Sequence, residues 1–250
     1  MQLYGLVGRH ISYSFSRAYF TQKFGRLGID ARYENFDIDD ISLLEKITVI
    51  PGLRGFNVTI PYKREVIPYL DNLSPEASRI GAVNTVKIEA DGKRSGHNTD
   101  WIGFTESLQP HLESGPIEAL VLGTGGASLA VTYALDRLGI GHQSVSRTGS
   151  GLRYGNLSRK DFPRPLIIVN CTPVGTAPDV GISPIDGQFF RPGDIAFDLI
   201  YNPPRTRFLY DADVAGATIL NGLRMLEIQA ERAWEIWNAG TGADFALKIL

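Results

Sequence analysis

The chain has 250 residues, 43% of them apolar and 21% charged, with a formal net charge of −2. It carries no basic block, no acidic tail and no apolar run near the ~20 residues of a membrane span, which argues against nucleic acid or a membrane as its main partner. The single cysteine, Cys171, rules out an intramolecular disulfide and a cysteine-rich metal site, and reads as a buried, inert thiol in a cytoplasmic protein. The start, Met1–Val7, lacks the basic residues and cleavage site of a secretory signal and reads as a strand from Leu3 to Val7. A helix follows over Ser16–Leu27, a strand over Ala31–Phe36 and a short helix over Asp40–Lys46. Next come the strand end at Phe56–Ile60, a helical stretch at Pro75–Ile80, and a hairpin in which Asn84–Glu89 and Lys93–Gly96 flank Asp91-Gly92. A helix over Trp101–His111 leads to a dense apolar strand, Ile117–Leu122. The remaining elements are a helix at Ala127–Leu138, strands at His142–Ser146, Leu166–Asn170, Asp194–Leu199 and Ala217–Leu220, and helices at Leu223–Asn238 and Ala243–Leu250.

This alternation of strands and helices predicts an α/β class with mostly parallel sheets. The break after Pro110 predicts two α/β lobes. One spans residues 1–100, with the C-terminal helices at 222–250 expected to pack back on it; the other, Rossmann-like, spans 101–221. A cleft between lobes is the default ligand site.

In the stretch Asn57-Val58-Thr59-Ile60-Pro61-Tyr62-Lys63, strand alternation puts Phe56, Val58 and Ile60 on one face and Asn57 and Thr59 on the other. Pro61 fits a first helical position, with Lys63 one turn inside that helix. Asn57, Thr59 and Lys63 thus converge at a strand end, where open α/β sheets hold ligands.

The segment from Val121 to Ala130 reads as strand, glycine loop, helix. Gly123, Gly125, Gly126 and Ala127 allow close backbone approach, and the helix N-terminus then faces a pyrophosphate. The next strand ends in Ser146-Arg147-Thr148, with a guanidinium where an NAD site places a carboxylate. Arg147 suits a 2′-phosphate, so NADP(H) is expected over NAD(H).

These residues, taken together, resemble the shikimate dehydrogenase family nearly end to end. The resemblance rests on the Asn57–Lys63 segment, Gly81-Ala82-Val83-Asn84-Thr85, Gly96-His97-Asn98-Thr99-Asp100, Asn170-Cys171-Thr172-Pro173-Val174-Gly175, Asp198-Leu199-Ile200-Tyr201-Asn202-Pro203, and the stretch from Asn221 to Ala230. It implies NADPH-dependent reduction of 3-dehydroshikimate to shikimate, a step of aromatic amino-acid biosynthesis, with substrate on the first lobe and dinucleotide on the second. It also implies that Ser14 and Ser16 bind the substrate carboxylate, that Asn57, Thr59, Asn84, Tyr201 and Gln229 complete the substrate site, and that Thr172 and Gly222 join the cofactor side. Tyr201 reads equally as a core residue. Two positions depart from the family. Tyr13 and Arg17 stand where it has His and Pro around the serines, and Gly149, Gly151 and Gly155 weaken the helix it has after Arg147.

Ketone reduction needs a polarised carbonyl and a proton for the new alkoxide, and Lys63 and Asp100 are the candidates; sequence leaves open which one transfers it. Gln229 shares a helical stripe with Gly222 and Met225, beside a buried stripe of Leu226, Ala230, Trp234 and Trp237. His10, His97, His111 and His142 show no metal-ligand spacing, so no metal is expected. The alternatives are a quinate/shikimate dehydrogenase of broader specificity and a catalytically silent metabolite-binding module. A monomer or small homodimer is expected.

Overall fold

The computed structural model describes residues 1–11, 14–112, 118–148 and 151–240, which divide into two units, Met1–Thr99 with Ala230–Leu250 and Asp100–Gln229. In the first unit, β1 (Gln2–Gly8) leads to α1 (Phe15–Leu27). Ser14 caps α1 by accepting the Arg17 N–H at 3.2 Å, and Gly28 ends it in the left-handed conformation at φ 64°. There follow β2 (Ala31–Asp37), α2 (Leu44–Thr48), β3 (Leu53–Val58), β4 (Asn72–Leu73), α3 (Pro75–Ile80), β5 (Thr85–Ile88) and β6 (Arg94–His97). The sheet order is β2-β1-β3-β5-β6-β4. β1 runs parallel to β2 and β3, whereas β5 is antiparallel to both β3 and β6. This sheet is therefore mixed, because the short Asp91-Gly92 turn, with Gly92 at φ 84°, can join only antiparallel strands.

Strand alternation sorts the side chains of β1 to two layers. Leu3 and Val7 pack with Leu44, Phe56, Val58 and Tyr62, while Tyr4 and Leu6 pack with Phe20, Phe24, Tyr33, Trp234 and Trp237. Trp237 donates its indole N–H to the Val86 carbonyl at 3.0 Å, satisfying its one polar atom.

The second unit contains α4 (Asp100–Leu108), β7 (Glu118–Leu122), α5 (Gly126–Arg137), β8 (Gly141–Ser146), β9 (Leu152–Arg153), β10 (Leu166–Asn170), β11 (Ile195–Asp198), α6 (Arg207–Val214), β12 (Thr218–Leu220) and the first turns of α7 (Leu223–Asn238). Its sheet is parallel throughout, in the order β12-β11-β10-β7-β8-β9. Counted from β7, that is the doubly wound 3-2-1-4-5-6 arrangement, in which the direction of winding reverses between β7 and β10. Among the described residues, no helix is long and apolar enough to cross a membrane.

Several local expectations are corrected. No α-helix starts at Pro61. β3 stops at Val58, the Ile60–Pro61 peptide is cis, and residues 60–66 form turns before a 3₁₀ segment, Ile67–Tyr69. Tertiary contacts decide this. Tyr62 is fully buried, with its hydroxyl donating to the Ile38 carbonyl at 2.7 Å, and the Lys63 carbonyl accepts the Val83 N–H at 2.7 Å. With the strand ended, Ile60 no longer alternates inward and is 67% exposed. α6 and the two-residue strands β4 and β9 were not foreseen. The Asp40–Lys46 helix is a 3₁₀ turn, Ile41–Leu43, followed by α2. The expected Ala243–Leu250 helix lies outside the described residues, as does Ile117.

Candidate active site

The first unit gathers polar side chains where β1 and β3 end. Asn57, on β3, is buried and turned toward Tyr33 of β2. Its Oδ1 accepts the Tyr33 hydroxyl at 2.8 Å, and its Nδ2 donates to the Asn84 carbonyl and to Thr85 Oγ1, both at 3.2 Å. Asn84 Oδ1 accepts the Thr99 N–H at 2.8 Å and the Thr85 hydroxyl at 3.0 Å, while its Nδ2 donates to Thr99 Oγ1 at 2.9 Å. Ser16, buried on the first turn of α1, stands near enough to the Tyr33 hydroxyl to favour its ionised form slightly, an effect that burial outweighs. Burial pushes the Tyr33 phenol well above its ordinary range, so it remains a neutral donor. A continuous chain, Tyr33–Asn57–Thr85–Asn84–Thr99, therefore joins two expected substrate residues, Asn57 and Asn84, to three that were not singled out as site residues. A mostly satisfied network of this kind holds each amide in one orientation.

Ser14 and Thr59 are half-buried beside this network in sequence, and Lys63 is half-buried with its backbone tied to Val83, the residue before Asn84. Asn98 fastens the preceding turn through the Ala82 carbonyl at 2.9 Å. The guanidinium of Arg17, whose direction the sequence left open, lies 3.8 Å from Glu34 of β2 and is exposed. In the second unit Asp100 is buried at the start of α4. Gln229 is buried as well, its amide donating to the Leu226 carbonyl at 3.0 Å. Of the buried stripe expected beside it, Ala230, Trp234 and Trp237 are buried, Leu226 is only half so, and Met225 is buried as well.

The glycine loop lies at the reversal between β7 and β10. Gly123 has φ 107°, a conformation that side chains avoid, and a Cβ there would stand 3.0 Å from Thr172 Cγ2. Gly125 caps α5 in extended conformation with open space around it, and Gly126 begins the helix. Ser128 turns its hydroxyl back to the Gly125 carbonyl at 2.6 Å, and the N–H groups of Gly126, Ala127 and Ser128 make up the first turn of α5. Across the reversal, Asn170 accepts both the Thr172 N–H at 3.0 Å and its hydroxyl at 2.7 Å, and donates to Asp198 at 3.1 Å. At the end of β8, Ser146 donates to the Thr148 carbonyl and Arg147 is exposed. β9, not a helix, continues this edge. Tyr201, past the end of β11, is half-buried. Gly222 is a packing glycine, since any Cβ there would collide with the Leu199 carbonyl. Cys171 is half-buried rather than fully so, and desolvation raises its thiol pKa, keeping it protonated. Among the described residues, no three His, Cys, Asp or Glu converge as metal ligands.

Residues 6–86 match the family model of the shikimate dehydrogenase substrate binding domain. The NADP(+) shikimate dehydrogenase of Geobacillus kaustophilus is 35% identical, over 94% of this chain and 92% of its own length. The chain belongs to the shikimate dehydrogenase family. One solved member, shikimate 5-dehydrogenase from Thermus thermophilus in complex with NADP(H) and shikimate, is 33% identical and superposes with a TM-score of 0.83, covering 95% of this chain and 93% of that one. A quinate dehydrogenase from Corynebacterium glutamicum in complex with NAD is 28% identical, with a TM-score of 0.84 over 94% and 93% of the two chains. The family match begins at Leu6 and ends at Val86, so it takes in Ser14, Ser16, Tyr33, Asn57, Lys63 and Asn84.

Proposed function

We propose that the chain is an NADP-dependent shikimate dehydrogenase, reversibly reducing 3-dehydroshikimate to shikimate. The observation that carries this reading is the Tyr33–Asn57–Asn84 network in one unit, in the same chain as a glycine loop at the reversal of a 3-2-1-4-5-6 sheet. The first unit is the substrate unit and the second the dinucleotide unit. Gly123, Gly125, Gly126 and Ala127 would hold the pyrophosphate, Arg147 with Ser146 and Thr148 the 2′-phosphate, and Thr172 the same crevice from β10. When bound, the dinucleotide supplies the hydride. Ser14 and Ser16 hold the substrate carboxylate, and Asn57, Thr59, Asn84, Tyr201 and Gln229 its remaining polar groups. Lys63 and Asp100 supply the acid/base function, giving the carbonyl oxygen a proton as the hydride reaches its carbon.

The test is an absorbance assay of nicotinamide reduction with shikimate and either NADP or NAD. Oxidation of shikimate with a clear preference for NADP is expected, and equal efficiency with NAD removes the role of Arg147. Lys63→Ala is expected to lower turnover at least ~100-fold while shikimate affinity stays within several-fold; near-parental turnover refutes the catalytic role of Lys63. The likeness to a quinate dehydrogenase favours one rival, a broader quinate/shikimate enzyme. Comparable kcat/KM for the two acids in the same assay would establish it.

A further inference from the structure

His10 and Ile11, just past β1, are held by β2 at several points. His10 has a φ of 58°, a left-handed conformation that is unusual for a residue with a side chain. Such a conformation persists where surrounding contacts over-determine it. Here the Asp37 carboxylate, at the end of β2, accepts the His10 N–H at 2.8 Å on one oxygen and the Ile11 N–H at 3.0 Å on the other. Asn35, two residues earlier on the same strand, donates to the Ile11 carbonyl at 2.8 Å. The Arg9 N–H goes to the Ile60 carbonyl at 3.2 Å, and the Ile11 side chain is buried with Phe20 and Tyr33. Every backbone group named here is satisfied from β2 or from the Asn57–Lys63 segment, and Ser14 lies only three residues beyond Ile11.

We propose that Asp37, assisted by Asn35, is a positioning residue for substrate carboxylate binding: it clasps the His10–Ile11 turn and so sets where Ser14 and Ser16 stand. The inference rests on the reading of those serines as carboxylate ligands. Asp37 is exposed and does not itself meet the substrate; it acts through two charge-assisted hydrogen bonds to backbone N–H groups.

The experiment pairs steady-state kinetics with amide hydrogen exchange on the full-length protein, Asp37→Ala and Asp37→Asn. In Asp37→Ala, KM for shikimate is expected to rise about five- to tenfold, the scale of losing such bonds, with kcat and KM for NADP within about twofold. Asp37→Asn keeps one acceptor oxygen and is expected to fall between. Exchange at His10 and Ile11 is expected to quicken in Asp37→Ala, with Phe20 and Phe24 in α1 unchanged. An unchanged KM for shikimate overturns the proposal. So does a parallel loss in kcat and both KM values, which marks general structural damage. If the parental protein does not oxidise shikimate at all, the functional reading fails separately. The clasp is then judged by exchange, and unaltered protection at His10 and Ile11 overturns it.

Discussion

Tyr33 shows how a residue outside the candidate ligands can orient one of them. It is 2% exposed, stacked on Phe20 with ring centroids 4.9 Å apart, and its hydroxyl donates to Asn57. Tyr33→Phe keeps the stack and removes only the oxygen. Asn57 Oδ1 then loses its donor in a buried site. The expected result is a rise of about tenfold in KM for shikimate, kcat within about threefold, and a stability loss of about 1–2 kcal/mol in urea unfolding. Unchanged kinetics would mean that Asn57 is oriented without it. At this scale the sequence was readable where one motif carried its own chemistry, as with Asn57 and Asn84, which the fold brings into one network. It was silent on Tyr33 and Asp37. Their partners lie 24 and 26 to 27 residues away, and no local pattern announces a hydrogen bond across strands.

α7 shows the same contrast among elements. Its apolar period was legible, and Trp234 and Trp237 pack with Tyr4 and Phe24 as an amphipathic helix should. What admits its first turns is a pair of glycines. Gly222 abuts the Leu199 carbonyl, and a Cβ on Gly103 of α4 would stand 2.5 Å from the Met225 carbonyl. Backbone on the far side of each contact cannot yield as a side chain can. Gly222→Ala and Gly103→Ala are therefore each expected to lower stability by about 2–3 kcal/mol, whereas Gly25→Ala, on α1 with open space at its Cβ, is expected to raise it by up to about 1 kcal/mol. Urea midpoints for the three variants decide the matter, and equal effects would refute the packing argument. The misread elements share a cause. At Pro61 a turn and a helix start look alike locally, and burial of Tyr62 chose the turn. In α6, one short helix after Pro203-Pro204 offered only the Thr206 cap and the inward Phe208, Leu209 and Ala212 as signals.

For the molecule as a whole, the alternation of elements disclosed an α/β chain with mostly parallel sheets, while the strand order of the second sheet came from the structure. The reversal at β7 and β10 also places a buried charge, and with it a pH dependence of stability. Asp198 ends β11 with no solvent exposure, accepting from Thr206 at 2.6 Å, Ile200 N–H at 3.0 Å and Asn170 at 3.1 Å. Burial outweighs these donors and raises its pKa from 3.8 to about 6. The folded state therefore binds a proton that the unfolded chain, titrating near 4, has already released. The sign follows: the stabilisation from protonated Asp198 is complete below about pH 4, is lost as pH rises from about 4 to about 6, and is absent above. The difference is on the order of 3 kcal/mol. His97 acts oppositely, since burial lowers its pKa and acidification then favours the unfolded chain, so the wild-type profile alone mixes the two. Asp198→Asn isolates the carboxylate: its amide oxygen keeps the Ile200 and Asn170 bonds, and the Thr206 hydroxyl can turn to accept from the new amide. Unfolding free energies of the two proteins, measured from pH 4 to pH 7, are expected to diverge between about pH 4 and about pH 6, the Asn variant gaining on the parent, and to keep a constant difference above that. Parallel profiles would mean that Asp198 titrates as an ordinary carboxylate and that its three donors, not burial, set its charge.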